Sequence, residues 1–217
     1  MQLNEIVKRR YSTKAFDPQR KLPRETVDQI INVLRWCPSS TNLQPWHFIV
    51  ASSTEGKERI ASGATENFKY NKDKILDASH VVLMCARTEV SEEHLQQVLA
   101  AEDAAGRFAN PQNKEAVHNT RTSYTNLHRF AQKDVPHWLE KQVYLNLGSL
   151  LLAAGVLGID AVALEGLDFA VLNQEFELNQ QGMNAVVAIA LGYQAENDFN
   201  ASLPKARLAQ EQLFTFI

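Results

Sequence analysis

The chain has 217 residues, a hydrophobic fraction of 45% and a formal net charge of −3. This length and composition are typical of one domain with a sizeable core, and we assign residues 1–217 to a single domain. The slightly negative charge supplies no basic field, which argues against a nucleic acid or an anionic membrane surface as a partner.

The sequence also lacks the features of a membrane or exported protein. Its most apolar run covers 147–159, whereas a membrane-spanning helix needs about 20 apolar residues. The segment MQLNEIVKRR lacks the apolar centre of a signal peptide. We therefore expect a soluble, cytoplasmic protein.

The two cysteines, Cys37 and Cys85, lie far apart in the sequence and form no CxxC pair. This pattern fits a reducing compartment and argues against a disulfide framework or a structural zinc site. The six histidines show no HExxH spacing, so we expect no metal centre.

Apolar spacing predicts the regular elements in chain order. Leu3, Ile6 and Val7 indicate a short first helix, and a second helix begins near Pro23 and Glu25. Strands are predicted at 47–52, 80–86, 160–165 and 185–193. The last strand is almost continuously apolar, which is typical of a central strand covered on both faces.

The middle of the chain, 91–132, is an excursion rich in polar residues. It contains two helical patterns, 92–106 and 111–131, which are separated at Asn110-Pro111. We expect these helices to border a pocket. A long helix at 136–158 follows and becomes apolar almost all round from Leu147, so a dimer axis would bury it naturally.

The segment after Lys205 is polar until it ends in LFTFI. An apolar tail of this kind promotes aggregation unless it docks, and we expect it to dock on a partner subunit. Four strands among many helices, without regular βαβ alternation, predict an α+β fold rather than a doubly wound parallel sheet.

The sequence contains none of the common nucleotide-binding or nucleophile motifs. There is no dinucleotide-binding GxGxxG after a strand, no phosphate loop and no nucleophile elbow. By elimination, a cofactor would have to supply any redox or transfer chemistry.

Two basic clusters suit an anion. Arg10, Ser12 and Lys14 occupy alternating positions, so they face one side if the segment is extended. Lys205 and Arg207 repeat this pattern near the far end. A phosphate would accept charge-assisted hydrogen bonds from such cations, and a solvated basic stretch is the alternative.

Three further segments offer polar contacts. Asn71 and Lys74 share a face if their segment is helical, where an amide and a cation could reach a heterocycle; a polar helix start is the alternative. Gly166, directly after Glu165, lets the backbone approach a flat ligand closely. The loop PSSTNLQPW, 38–46, offers more hydrogen-bonding side chains than a helix-to-strand turn requires.

Taken together, these segments resemble the oxygen-insensitive NAD(P)H nitroreductase and flavin reductase family. The resemblance runs over the whole chain through RRYSTKAFDP, PSSTNLQPWHFIVAS, NKDKILDASHVV, KQVYLNLG, ALEG and DFNASLPKARL. It implies a nitroreductase-like α+β fold with a mostly antiparallel central sheet flanked by helices. It also implies an intertwined homodimer with two FMN sites at the subunit interface.

The resemblance assigns a role to individual residues. Arg10, Ser12, Lys205 and Arg207 would hold the FMN phosphate and ribityl chain, with Tyr11 also in the binding set. Lys14, Asn71 and Lys74 would contact the polar edge of the ring, and Glu165 and Gly166 would lie against it. The other subunit would supply Pro38, Ser39, Ser40 and Asn42, while Gln142 and Leu145 would lie in the dimer core and complete the binding set.

The family pattern names Lys14, Lys74 and Glu165 as catalytic and places Thr41, Phe68, Tyr70 and Tyr124 at the substrate. This sequence departs from it in three places. Ala206 replaces a frequent serine, Ala163 replaces a frequent proline, and Tyr124 stands where a phenylalanine is common.

The activity implied by the resemblance is ping-pong transfer of electron pairs from NAD(P)H to nitroaromatics, quinones or flavins. One alternative is a dedicated flavin or dihydropteridine reductase with incidental nitroreduction. Another, of a different class, is a flavin-binding protein without turnover.

Overall fold

A four-stranded antiparallel sheet lies at the centre of the structure, a computed structural model that describes residues 2–217. Its strands are β1 (Trp46–Ala51), β2 (His80–Arg87), β3 (Asp160–Leu164) and β4 (Met183–Gly192), in the order β1-β2-β4-β3. All four predicted strands are present, each with bounds shifted slightly. The almost continuously apolar β4 occupies a central position, which confirms its prediction.

Helices cover both faces of this sheet and extend beyond it. They are α1 (Leu3–Arg9), α2 (Arg24–Trp36), α3 (Thr54–Ala61), α4 (Lys72–Asp77), α5 (Glu92–Ala104), α6 (Pro111–Asn126), α7 (Val135–Leu157), α8 (Phe169–Glu175) and α9 (Gln210–Leu213). Of these, α2 and α7 pack on one face of the sheet, and α3, α4 and α8 pack on the other. Short 3₁₀ turns cover Ser40–Asn42, Glu66–Asn71, Leu178–Gln181 and Phe199–Ser202.

The core lies in two layers because both faces of β2 are buried. Val82 and Met84 pack on the side that carries Leu34 of α2 and Leu150 of α7. Leu83 of β2 packs on the opposite side, together with Ile60 of α3, Ile75 of α4 and Leu172 of α8. Alternate residues of a strand point to opposite faces, so an apolar run through β2 fills both layers.

The excursion at 91–132 folds as two helices, as predicted, with one local difference. The predicted helix 111–131 is regular only to Asn126, where α6 ends, and the chain continues as a π-helix over Leu127–Gln132. Lys133 then ends the turn with a φ of 54°. A π-helix has i→i+5 hydrogen bonds, but a single turn of six residues is too short for the apolar spacing to reveal the change.

Several apolar surfaces face outward within the single chain. On α7, Leu145 and Val156 are 48% and 60% exposed, although the opposite side of this helix is buried. On the C-terminal tail, Phe214 and Phe216 are 58% and 83% exposed. We predicted that α7 is buried on most sides. Within one chain, only the side that faces the sheet is buried.

Cys37 and Cys85 are free and buried. Among residues 2–217, no helix is long and apolar enough to cross a membrane. Within the same range, no group of three or more histidine, cysteine or carboxylate side chains could bind a metal.

Candidate functional site

A cavity of about 520 Å³ opens where β3 ends. Four separate parts of the chain surround it: the N-terminal basic segment, the start of α4, the end of β3 and the turn after β4. Its lining consists of Lys14, Tyr70, Asn71, Lys74, Val162, Ala163, Leu164, Glu165, Gly166 and Phe199. The structure thus brings together Lys14, Asn71 and Lys74, which the family resemblance assigns to the edge of the flavin ring.

A chain of hydrogen bonds crosses this cavity wall. Lys74 Nζ donates to Asn71 Oδ1 at 2.7 Å, and Asn71 Nδ2 donates to the Gly166 carbonyl at 2.8 Å. Asn71 is buried, so its amide is fixed and orients the ammonium group. The predicted shared face of Asn71 and Lys74 is confirmed.

The electrostatics of the cavity favour an anion. Burial lowers the pKa of Lys74, and the positive charge of Lys14 lowers it further, while Asp73 opposes the shift. Two ammonium groups therefore lie close enough to repel each other in a partly desolvated site. Negative charge placed between them would relieve this repulsion.

Gly166 allows three side chains to converge on the end of β3. A Cβ atom at this position would lie 2.5 Å from Tyr70 Oη, 2.9 Å from Asn71 Nδ2 and 3.3 Å from Phe68 Cδ1. The sequence predicted close approach of a ligand here. The structure adds a second reason for glycine, which is the close packing of the cavity wall itself.

Glu165 contacts a residue that sequence reasoning missed. Tyr144 Oη on α7 donates to Glu165 Oε1 at 2.6 Å. Burial, together with the hydrogen bond and charge of Glu165, raises the pKa of Tyr144 to about 12. The contact links α7 to the turn that borders the cavity.

The basic segment runs beside β3 and bends at Lys14. Ser12 forms a parallel bridge with Ala161, and Thr13 is fully buried between its half-buried neighbours Ser12 and Lys14. Tyr11, expected to bind cofactor, donates its hydroxyl to Asp198 Oδ2 at 2.9 Å. The phenol therefore holds this segment in place.

The second basic cluster comes together with the first. Lys205 Nζ donates to the Val7 carbonyl at 2.9 Å and also to the Arg10 carbonyl. Burial lowers the pKa of Lys205, and the charges of Arg10 and Arg207 lower it further. The two basic segments therefore lie next to each other, and their convergence on a phosphate stays a prediction.

The loop at 38–44 is held by the protein's own polar groups. Gln142 Oε1 accepts from the Ser40 N–H at 2.8 Å, and Ser39 Oγ accepts from the Gln44 N–H at 2.9 Å. The exposed Leu145 lies farther along α7, and Pro38 is exposed at the start of the loop. Some of the expected cofactor-binding residues lie in this loop or on α7. None of them lines the cavity at β3 of the same chain.

The four expected substrate residues also divide into separate groups. Tyr70 lines the cavity at β3, and Phe68 lies beside Gly166. Thr41 lines another cavity, of about 460 Å³, against α5 and α6. Tyr124 lines a third, of about 560 Å³, and packs edge-on against Trp138 with ring centroids 5.8 Å apart.

Comparison with known proteins finds similar sequences and a similar fold. A model of the nitroreductase family matches residues 7–193. The chain is 47% identical to an oxygen-insensitive NAD(P)H nitroreductase of Salmonella typhimurium over 99% of both chains. It is 32% identical to the major NAD(P)H-flavin oxidoreductase of Aliivibrio fischeri, over 96% of this chain and 95% of that one.

A solved structure from Exiguobacterium sibiricum, classed as a nitroreductase and in complex with FMN, superposes with a TM-score of 0.80. The two sequences are 25% identical, and the match covers 100% of this chain and 98% of the other.

Proposed function

This chain belongs to the nitroreductase family, and we propose that it is an FMN-dependent enzyme that passes electron pairs from NAD(P)H to an aromatic acceptor. The observation that carries the proposal is the convergence of Lys14, Asn71, Lys74 and the Glu165-Gly166 turn on one cavity. The names of relatives that use NAD(P)H and the FMN-bound structure support it.

The residues present fit FMN. Lys14 and Lys74 supply paired positive charge, and the amide of Asn71 is fixed beside them. Arg10, Lys205 and Arg207 form a second cationic group for a phosphate. When bound, FMN supplies a ring that accepts a hydride at N5 and passes the electron pair on.

Each group of residues has its own task in this proposal. Lys14 and Lys74 stabilise negative charge at the polar edge of the ring, and their effect exceeds that in water because the site is partly dry. Asn71 orients Lys74, and the turn at Glu165 and Gly166 supports the ring. Arg10, Ser12, Lys205 and Arg207 hold the phosphate and ribityl chain, with Tyr11 fixing their segment.

We further propose that the active protein is a homodimer with shared sites. The outward apolar side of α7, including Leu145, would become buried at the dimer axis. The tail with Phe214 and Phe216 would dock on the partner. Pro38, Ser39, Ser40 and Asn42 of the partner subunit would form the remaining cofactor wall, braced from behind by Gln142.

Nitroaromatics, quinones and flavins are the proposed acceptors, because one flat pocket above the ring would admit all three. Phe68 and Tyr70 would contact the acceptor from one subunit, and Thr41 and Tyr124 from the other. A dedicated flavin or dihydropteridine reductase is the second candidate, favoured by the similarity to a flavin oxidoreductase. The two free, buried cysteines support a cytoplasmic location.

The experiment that tests the activity compares acceptors. Purified protein reconstituted with FMN is assayed with NADPH and then NADH against a nitroaromatic, a quinone, free flavin and a dihydropteridine. Turnover with the first three supports the proposal. Turnover confined to free flavin or the dihydropteridine selects the second candidate, and bound flavin that stays oxidised with both donors indicates a binding protein.

The shared site is tested with mixed dimers. In a homodimer, each of the variants Lys74→Ala and Asn42→Ala would impair both sites. Lys74 would lie on one wall of a site, and Asn42 of the partner subunit on the opposite wall. A heterodimer of the two variants has one site with both changes and one intact site. Activity near half that of wild type supports the shared site, and activity no higher than that of the parent variants contradicts it.

A further inference from the structure

A buried ion pair joins the two helices of the excursion. Glu102 of α5 and Arg121 of α6 have side chains that are only 6% and 2% exposed. Arg121 Nη2 donates to both carboxylate oxygens of Glu102, at 2.8 and 2.7 Å. Both charged groups are removed from water, so the pair is stable only if its hydrogen-bond geometry is good.

Both members of the pair also reach the loop at 38–44. Arg121 Nε donates to the Thr41 carbonyl at 2.8 Å, and Glu102 Oε1 accepts from Asn42 Nδ2 at 2.8 Å. These contacts join residues that are far apart in the sequence. The pair therefore acts on the loop as well as on the packing of α5 against α6.

The loop needs such support because its backbone is strained. Thr41, Asn42 and Gln44 have φ values of 50°, 55° and 50°, in the left-handed region that side-chain-bearing residues adopt at a cost in free energy. Strained residues of this kind persist only when their surroundings hold them in place. Two of the three are contacted directly by Glu102 or Arg121.

We propose that Glu102 and Arg121 are positioning residues that hold the loop in the shape required for FMN binding in the partner's site. The inference rests on the proposed function, because it assumes that this loop forms a cofactor wall across the dimer. Neither side chain needs to touch FMN. Each acts through Thr41 or Asn42.

Stability alone is a weak reason for this pair. Replacing a buried ion pair with apolar residues of similar volume is often neutral or stabilising. The hydrogen bonds to Thr41 and Asn42 are contacts that apolar residues cannot make. The positioning role and a purely structural role therefore give different results when the pair is replaced.

The test uses the double variant Glu102→Leu/Arg121→Met. Its matched control is Arg59→Met/Glu175→Leu, which removes a half-exposed ion pair of 2.6 Å between α3 and α8, away from the loop. Urea unfolding of each apoprotein measures stability, and quenching of FMN fluorescence measures the dissociation constant.

We expect the double variant to unfold at the same urea concentration as wild type, or a higher one, and to bind FMN about tenfold more weakly. The control should keep the wild-type dissociation constant. Equal FMN affinity in a folded double variant overturns the inference and leaves the proposed function intact. A wild-type protein that binds no FMN overturns the proposed function and this inference with it.

If the double variant does not fold, Arg121→Lys decides the question. A lysine keeps the charge, but its ammonium group lacks the planar fork that lets Arg121 donate to Thr41 and to both carboxylate oxygens of Glu102 at once. We expect faster FMN dissociation from this variant, with its urea midpoint measured alongside. A dissociation rate equal to that of wild type overturns the inference.

Discussion

Tyr144 donates a hydrogen bond of 2.6 Å to Glu165, and this contact ties the middle of α7 to the turn after β3. Helix α7 is followed directly by β3, the strand that ends at this turn, and the two are joined at Gly158, which has a φ of 71°. The tie therefore fixes where the long helix lies relative to the cavity. Because α7 also carries the exposed apolar side, it connects the proposed dimer face with the proposed flavin site.

Replacing Tyr144 with phenylalanine should lower stability in a pH-dependent way. The lost hydrogen bond costs up to about 1 kcal/mol of unfolding free energy, and less if solvent reaches the partly exposed pair. Folding raises the pKa of Tyr144 from 10.0 to about 12, so the contribution is full below pH 10 and is lost as the pH rises through 12. Urea unfolding of wild type and Tyr144→Phe at neutral pH and above pH 10 measures it. A difference that does not shrink at high pH would contradict this account.

Removing the ammonium group of Lys74 should make the bound flavin harder to reduce. Lys74→Met takes away one of the two positive charges that stabilise negative charge at the ring edge, so we expect a more negative midpoint potential and slower reduction by NADPH. Potentials measured against redox dyes and anaerobic stopped-flow traces report both effects. Lys72→Met, an exposed lysine of the same helix, is the control and should change neither. An unchanged potential in Lys74→Met would rule out the assigned role.

A methyl group at position 166 should disturb the cavity wall. In Gly166→Ala the new Cβ would meet Tyr70 Oη at 2.5 Å and Asn71 Nδ2 at 2.9 Å, so one or both side chains must move. We expect weaker FMN binding, measured by fluorescence titration. Adding Tyr70→Phe removes the closer of the two atoms and should restore part of the affinity. Wild-type affinity in Gly166→Ala alone would show that the wall tolerates the shift.

Polar substitutions in the tail should weaken the dimer. Phe214 and Phe216 are exposed in the single chain, and their burial on a partner would contribute to association. The double variant Phe214→Ser/Phe216→Ser should dissociate at higher protein concentration than wild type in analytical ultracentrifugation. Phe130→Ser, which changes a side chain on the π-helix with an exposure between those of the two tail residues, should leave the dimer unchanged. Identical association of tail variant and wild type would show that the tail does not dock.

Local patterns were sufficient to predict the main elements. The apolar runs of β2 and β4 and the spacing in α2 and α7 each report burial directly, because a buried face must be apolar. The convergence of Lys14 with Asn71 and Lys74 was predicted through the family resemblance. Periodicity alone does not show that an N-terminal segment meets the start of α4.

The contacts that the sequence did not reveal are pairs between distant positions. Glu102 and Arg121 are 19 residues apart, and Tyr144 and Glu165 are 21 apart. Each of these four residues is of a common polar type, so the sequence alone does not mark it. The two members of each pair meet only because the helices and strands that carry them pack together. The same holds for the loop at 38–44, whose polar side chains were expected to face a cofactor. In this chain, Ser39 and Asn42 also brace the loop and tie it to Glu102.

Electron transfer from NAD(P)H through bound FMN is tested most directly by the visible spectrum of the FMN-loaded protein before and after anaerobic addition of NADPH or NADH, followed by a nitroaromatic. We expect the flavin absorption to bleach with at least one donor and to return when the acceptor is added. A protein that does not retain FMN, or a bound flavin that neither donor bleaches, would contradict this expectation.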